Sequence, residues 1–324
     1  MKTITITKML VLAMLFITPF FTAEAVSPKG QENATFNTTS EAVSGDADYW
    51  TEERLKNAKP LPLPQITDEQ FKTLTQELEK GERKKENVQI QEEGPKDNNQ
   101  EKAATLGVPE SANVNERPFW NGGKLYFTKP DGDYICTAEF TGQNNILLTA
   151  AHCVRDGNTG QFYKNFRFYR AYNGGGGQYV GWTCAMAYYM WYTPPMNFKY
   201  DYAFIHTDRT SGAGWLGWKT QIPYNTWTAI GYPQNSGNNQ YMYKVVGDKG
   251  PIYNGIVQMN NNPFNGGASG GAWIGDLTTP YVGGNYAIGL NSFIRQSDPN
   301  KMWGPLFDNE WVNLYNKTVN NCQE

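Results

Sequence analysis

From about residue 118 to residue 293 the chain carries short apolar and aromatic runs: 124–128, 133–141, 144–149, 165–172, 179–189, 202–206, 227–231, 241–246 and 284–293, with Gly, Asn and Pro between them. Many short runs punctuated by turn residues predict an all-β barrel or sandwich rather than β-α-β units. The pattern changes at residues 309–319, where Trp311, Leu314 and Tyr315 fall on one face of a C-terminal helix. Residues 26–113 look different again, rich in Glu, Lys, Gln, Asn and Pro and poor in large apolar side chains. Such a segment cannot bury enough surface to fold alone, so it is expected to be largely disordered. It holds one local signal. Thr67 followed by Gln70 forms a capping box, Ile66 and Phe71 form a hydrophobic staple, and Phe71, Leu74 and Leu78 line one face of a helix over 67–86. That face either docks on the rest of the chain or belongs to a solvated linker helix.

The first 25 residues read as a signal peptide, with Lys2 and Lys8, an apolar stretch from Met9 to Phe21, and the small-x-small site Ala23-Glu24-Ala25. The apolar stretch is short for a membrane span, and a retained anchor is the alternative. The chain thus divides into a signal peptide (1–25), a pro-segment (26–113) and a folded domain (114–324), secreted to the extracellular space or the periplasm. Residues 1–113 hold 18 acidic and 13 basic residues, the remainder 13 and 15. The folded domain is therefore near neutral, with no basic stretch of the kind that binds nucleic acid. No nucleotide fingerprint occurs. There is no Cys-x-x-Cys and there are only two histidines, so neither a metal nor another cofactor is expected. In an exported protein the four cysteines are disulfide candidates, with three possible pairings.

Candidate chemistry lies in three segments. Leu147-Leu148-Thr149-Ala150-Ala151-His152-Cys153 runs from an apolar strand into a turn, and His206 is the only other histidine. Asp201 stands at the mouth of the run Tyr202-Ala203-Phe204-Ile205, and Ser269 lies within Gly266-Gly267-Ala268-Ser269-Gly270-Gly271. Acyl transfer by a serine needs an imidazole in reach of the hydroxyl and a buried carboxylate to orient the imidazole. The order His152, Asp201, Ser269 supplies one candidate for each role. A lone glycine-rich turn with a serine is a weak signal, whereas the ordered triple is a strong one.

These segments, with Gly231-Tyr232-Pro233 and the extension of the serine run to Trp273, resemble the chymotrypsin-like (trypsin-like) serine peptidase family over residues 118–315, nearest its secreted V8-like glutamyl endopeptidase branch. The resemblance implies two six-stranded antiparallel β-barrels with a C-terminal helix, a precursor (zymogen) matured by proteolysis, a monomer, and protein or peptide substrates. It implies His152, Asp201 and Ser269 as the catalytic triad and the amides of Gly267 and Ser269 as an oxyanion hole. It also implies a Cys136–Cys153 disulfide, which leaves Cys184 with Cys322. The substrate pocket would lie at Pro263 and Phe264, about six residues before the serine, and at Asn291 and Ser292 on the following strand. No carboxylate stands there to select Arg or Lys, and no pocket histidine to select Glu, since His206 lies beside Asp201. Ala268 occupies the place where the trypsin branch has an aspartate that pairs with the new N-terminal amine, so activation through that ion pair is not expected. The alternatives are an inactive homologue acting as a secreted binding protein, and a structural or adhesive module, which would be expected to show repeats or an anchor.

Overall fold

The computed structural model describes residues 36–39, 49–82, 92–93, 105–192, 196–280 and 283–323. The chain divides into residues 1–33, which hold the expected signal peptide and lie outside the described residues, and residues 34–324. The second unit contains two curled sheets. The first is built from β1 (Gly122–Lys129), β2 (Gly132–Phe140), β3 (Ile146–Thr149), β4 (Lys164–Asn173), β5 (Gly176–Val180), β6 (Trp182–Tyr188) and β7 (Ala203–Thr207), in the spatial order β6-β7-β3-β2-β1-β4-β5. The second is built from β8 (Gly217–Lys219), β9 (Thr226–Gly231), β10 (Tyr243–Tyr253), β11 (Ile256–Asn260), β12 (Ala272–Gly275), β13 (Tyr286–Leu290), β14 (Phe293–Arg295) and β15 (Asp298–Pro305), in the order β14-β15-β11-β10-β9-β12-β13-β8. This is the chymotrypsin-like two-barrel arrangement. Neighbouring strands pair antiparallel except β8 with β13, which run parallel.

Side-chain periodicity explains the strand faces. In β4, Phe166 and Phe168 turn into the core while Arg167 and Tyr169 are only half-buried, an alternation typical of a strand with one wet face. β3 is buried throughout, which explains its unbroken apolar run Ile146-Leu147-Leu148. The expected runs correspond to strands, with 179–189 divided into β5 and β6 and 284–293 into β13 and the start of β14. The sequence gives no warning of β8, β11, β12 and β15. In β12 and β15 glycines and charged residues interrupt the pattern, while pairing with strands on both sides holds them in register.

Helix α3 (Asn309–Val319) falls where the sequence places it. Asp308 caps it, accepting from the Trp311 amide at 3.1 Å. Trp311 meets Phe204 of β7 and Trp218 of β8 with ring centroids 4.9 and 5.1 Å apart, so the helix closes the end of the first barrel. Disulfides join Cys136 to Cys153 and Cys184 to Cys322. The second bond ties the end of α3 to β6.

Much of residues 49–82 is held on the barrels, although the composition suggests disorder. Helix α1 (Glu52–Asn57) lies beside Trp50, whose indole donates to the Asn165 carbonyl at 2.6 Å. Tyr49 and Arg54 both bond Asp133, at 2.7 and 3.1 Å. Helix α2 (Asp68–Glu82) begins with the expected capping box: the Gln70 amide donates to Thr67 Oγ1 at 3.1 Å and the Thr67 amide to Gln70 Oε1 at 2.8 Å. Its apolar face docks, with Phe71 against Trp303 at 4.6 Å and Leu74 buried in the main core; the side chain of Leu78 lies outside the description. Between the helices, Lys59–Pro60 pairs with β2 and Gln65–Ile66 with β14. Residues 105–114 also pack on the second barrel, through the Gly107 and Ala112 amides to the Val246 and Met242 carbonyls. Among the described residues no helix is long and apolar enough to cross a membrane.

Candidate active site

His152 sits in a 3-10 turn at the end of β3, and Asp201 follows a 3-10 turn immediately before β7. β3 and β7 are paired, so the two turns leave the first barrel side by side. Asp201 is fully buried and accepts three hydrogen bonds: from the His152 amide at 2.9 Å, from His152 Nδ1 at 2.7 Å, and from the Ser292 hydroxyl. A carboxylate can only accept, so the imidazole carries its hydrogen on Nδ1 and leaves the Nε2 lone pair free to take a proton. His152 Nε2 is buried without a hydrogen-bond partner, and so is Ser269 Oγ.

The serine comes from the second barrel. The Ser269 carbonyl accepts from the Thr137 amide of β2 at 2.8 Å, the Gly270 amide donates to the Asn291 carbonyl, and the Asn291 amide donates to the Gly271 carbonyl, both at 2.9 Å. Asn291 is followed by Ser292, which holds Asp201. The serine loop and the histidine turn therefore share one bracing network. Gly267 has φ +90°, and a Cβ there would fall 2.2 Å from Asn239 Nδ2 and 2.6 Å from the Tyr232 carbonyl, so glycine is required. The Gly267 amide points outward, where it donates to the Leu61 carbonyl at 3.0 Å.

The trypsin family model matches residues 109–306. The chain belongs to the trypsin family of serine endopeptidases. Among solved structures it is similar to the thermostable serine protease AL20 from an extremophilic microorganism, with a TM-score of 0.55 and 26% identity over 62% of this chain and 98% of the other. It is also similar in fold to the protease Anisep from Arthrobacter nicotinovorans (TM-score 0.55, 23% identity, 66% of this chain and 100% of the other). A Glu endopeptidase shares the fold at a TM-score of 0.53 and 18% identity, over 66% of this chain and 97% of the other. No curated protein matches significantly.

The trypsin-family residues expected to line a substrate pocket are placed unevenly. Phe264 is buried in the second core with Ala268, Ile294 and Met302, and Pro263 is half-buried with its carbonyl bound to Asn235. Asn291 instead faces inward. Its amide nitrogen donates to the carbonyls of Ile230 and Ala268 at 3.0 and 3.1 Å, and its oxygen accepts from Trp273 Nε1 and Asn262 Nδ2 at 2.9 and 3.0 Å. All four bonds are spent on fixing the serine loop. The Ser292 hydroxyl is likewise turned to Asp201 rather than to a substrate. His206 is occupied elsewhere: Asn145 donates to its Nε2 at 3.0 Å, and Nδ1 lies 2.8 Å from Thr183 Oγ1. Burial lowers the His206 pKa below its ordinary value.

Asn239 is a residue the sequence reading misses. Its side-chain amide holds the carbonyls of Tyr232 and Gly266, so it supports the turn that presents Gly267. The only hint is its place in Asn238-Asn239, where both residues adopt positive φ. Cys136, His152 and Cys153 form the one cluster among the described residues with metal-like spacing, but both sulfurs are bound in the disulfide and are not thiolate ligands.

Proposed function

We propose that the chain is a secreted precursor whose domain at 114–324 hydrolyses peptide bonds through Ser269, His152 and Asp201. Ser269 Oγ attacks the peptide carbonyl while His152 Nε2 takes its proton. The tetrahedral oxyanion is met by the amides of Gly267 and Ser269. As it collapses, His152 returns the proton to the leaving amine and an acyl-enzyme remains, which water opens by the same steps. Asp201 holds the tautomer and stabilises the imidazolium. The observation that carries this reading is the buried His152–Asp201 bond set beside two unpartnered atoms, His152 Nε2 and Ser269 Oγ. Burying polar atoms without partners is costly, and a reacting group received between the base and the hydroxyl would satisfy both.

The precursor reading assigns 1–25 to export and 26–113 to a pro-segment, and the two disulfides suit an oxidising compartment. Ala268 is packed in the core and offers no carboxylate to a new N-terminal amine. A processed form with a few extra N-terminal residues should therefore stay active. The test is fluorophosphonate labelling of processed protein, with the adduct mapped beside a Ser269→Ala control. An adduct at Ser269 that the control lacks supports the mechanism. Its absence from folded, processed protein would leave a binding protein without catalysis.

A further inference from the structure

Residues 59–66 of the pro-segment, Lys-Pro-Leu-Pro-Leu-Pro-Gln-Ile, cross the molecule from the first barrel to the second directly over the serine loop. Lys59–Pro60 pairs parallel with Tyr134–Ile135 of β2, and the Leu61 amide donates to the Ile135 carbonyl at 3.0 Å. The Leu61 carbonyl takes the Gly267 amide at 3.0 Å. Pro64 then accepts from the Ile294 amide at 3.0 Å, and Gln65–Ile66 pairs parallel with Ile294–Arg295 of β14. The backbone lies so close that a Cβ on Gly266 would stand 3.1 Å from the Leu61 carbonyl oxygen. Between these backbone bonds Leu63 is 5% exposed and belongs to the apolar cluster of Phe264, Ala268, Ile294 and Met302. Leu61 and Leu63 point in while Lys59, Pro62 and Gln65 point out. This is strand addition to the edge of a sheet, in which the backbone supplies affinity and alternate side chains fill pockets.

We infer that residues 59–66 occupy the peptide-binding cleft as an uncleaved inhibitor, and that the pocket filled by Leu63 makes the processed enzyme selective for aliphatic residues on the acyl side of the cleaved bond. The inference rests on the peptidase reading above. A productive peptide must present to the oxyanion hole the carbonyl of the same residue whose side chain fills the pocket. Here the carbonyl at Gly267 belongs to Leu61 and the side chain in the pocket to Leu63, two residues further on. The chemistry is also blocked at both leucines, because the bonds Leu61–Pro62 and Leu63–Pro64 end in proline nitrogens. Each such nitrogen carries a ring carbon where an ordinary amide has hydrogen, and the ring restricts the preceding residue. This crowds the side on which His152 must deliver its proton. Anchors flank the run on each barrel: Trp50, Tyr49 and Arg54 on the first, and Asp68, which bonds Arg295 and Ser297 at 2.7 Å, on the second. Tethering makes binding intramolecular, so a weak peptide suffices to fill the cleft.

The cluster that takes up Leu63 is apolar, with Phe264, Ala268, Ile294 and Met302 among its members, and a charged side chain buried there unpaired would be strongly disfavoured. The experiment measures fluorophosphonate labelling of Ser269 in intact full-length precursor and in processed protein, by intact mass. Leu63→Asp and Leu63→Ala precursors are run in parallel, and the processed protein is then offered peptides cleavable after Leu, Glu or Arg. The expected result is wild-type precursor labelled at least 10-fold more slowly than processed protein. Leu63→Asp should restore at least 10-fold of the labelling rate, Leu63→Ala should lie between, and cleavage after Leu should exceed that after Glu or Arg at least 10-fold. Equal labelling of precursor and processed protein, rates unmoved by both Leu63 variants, or preferred cleavage after Glu or Arg would each overturn the inference while leaving Ser269 catalysis intact. No labelling of processed protein would overturn both.

Discussion

The two barrels contribute to the cleft by different means. The first holds His152 and Asp201 through side-chain bonds, a buried carboxylate gripping one imidazole and one main-chain amide. The second presents Ser269 through backbone shape, a turn with positive φ at Gly267 and Gly270 whose carbonyls are pinned from behind by Asn239 and Asn291. A side-chain grip announces itself in the sequence because it needs particular functional groups. A backbone shape is specified by what is missing, a Cβ, and by amides far away in the chain. The difference predicts that the first barrel's contribution fails chemically when altered, and the second's fails by losing geometry.

The largest effect should come from Asp201→Asn. The amide can no longer accept from Nδ1 and Ser292 while keeping the base in its tautomer, so kcat should fall by about 10⁴-fold with KM little changed. Fold should persist, checked by circular dichroism. A fall of under 10-fold would mean that Asp201 does not orient the base. Gly267→Ala tests the other side. Strain at φ +90° and the clash with Asn239 and Tyr232 should displace one of the proposed oxyanion donors. The expected loss is roughly 10²–10³-fold in kcat, measured on processed protein with a peptide ester.

These two tests separate what is legible in the sequence from what is not. The short apolar runs indicate an all-β fold, and Ala-Ala-His-Cys, Asp-Tyr-Ala and the glycine-flanked serine point to the residues proposed as the triad. The strands Gly217–Lys219 and Ala272–Gly275 are invisible because pairing with neighbours, rather than their own pattern, makes them. Asn291 and Ser292 read as pocket residues because they lie at the right chain position; which way each side chain turns depends on Trp273, Asn262 and Asp201, which only folding brings near. The docking of residues 49–82 is equally hidden in a polar composition. Its signals are the capping box at Thr67 with the Phe71 and Leu74 face, and the alternation Pro60-Leu61-Pro62-Leu63-Pro64, a rigid extended run with leucines on one side.

Asn291→Leu sharpens the comparison in terms of stability. It would leave Trp273 Nε1 without its partner, reduce the Asn262 amide to its bond with Met259 Sδ, and take one donor each from the Ile230 and Ala268 carbonyls, the latter still held by the Gly271 amide. A cost of about 3 kcal/mol or more is expected, read as a lower urea midpoint, together with slower Ser269 labelling because the loop loses its backing. A variant with unchanged stability would show that water can replace the network.

The smallest effect concerns a group that touches neither half of the proposed triad. Glu139 of β2 is fully buried, and both its carboxylate oxygens lack hydrogen-bond partners. Burial raises its pKa well above the ordinary value, offset only in part by the Ala272 backbone nearby. A carboxyl whose folded pKa is raised leaves stability intact below its unfolded pKa, near 4.3, and erodes it as pH climbs towards the folded value. Glu139→Gln removes the proton that must be held. The substitution should therefore be nearly neutral at pH 4 and raise the melting temperature by a few degrees at pH 8, read by calorimetry at both pH values. Equal shifts at the two pH values would mean that Glu139 does not change its protonation on unfolding. Because Glu139 pairs across the ladder with Leu148 of β3, such a gain would come from beside the strand that leads into the His152 turn. Any accompanying change in the pH dependence of Ser269 labelling would show that the first barrel's grip on the base responds to charge buried behind it.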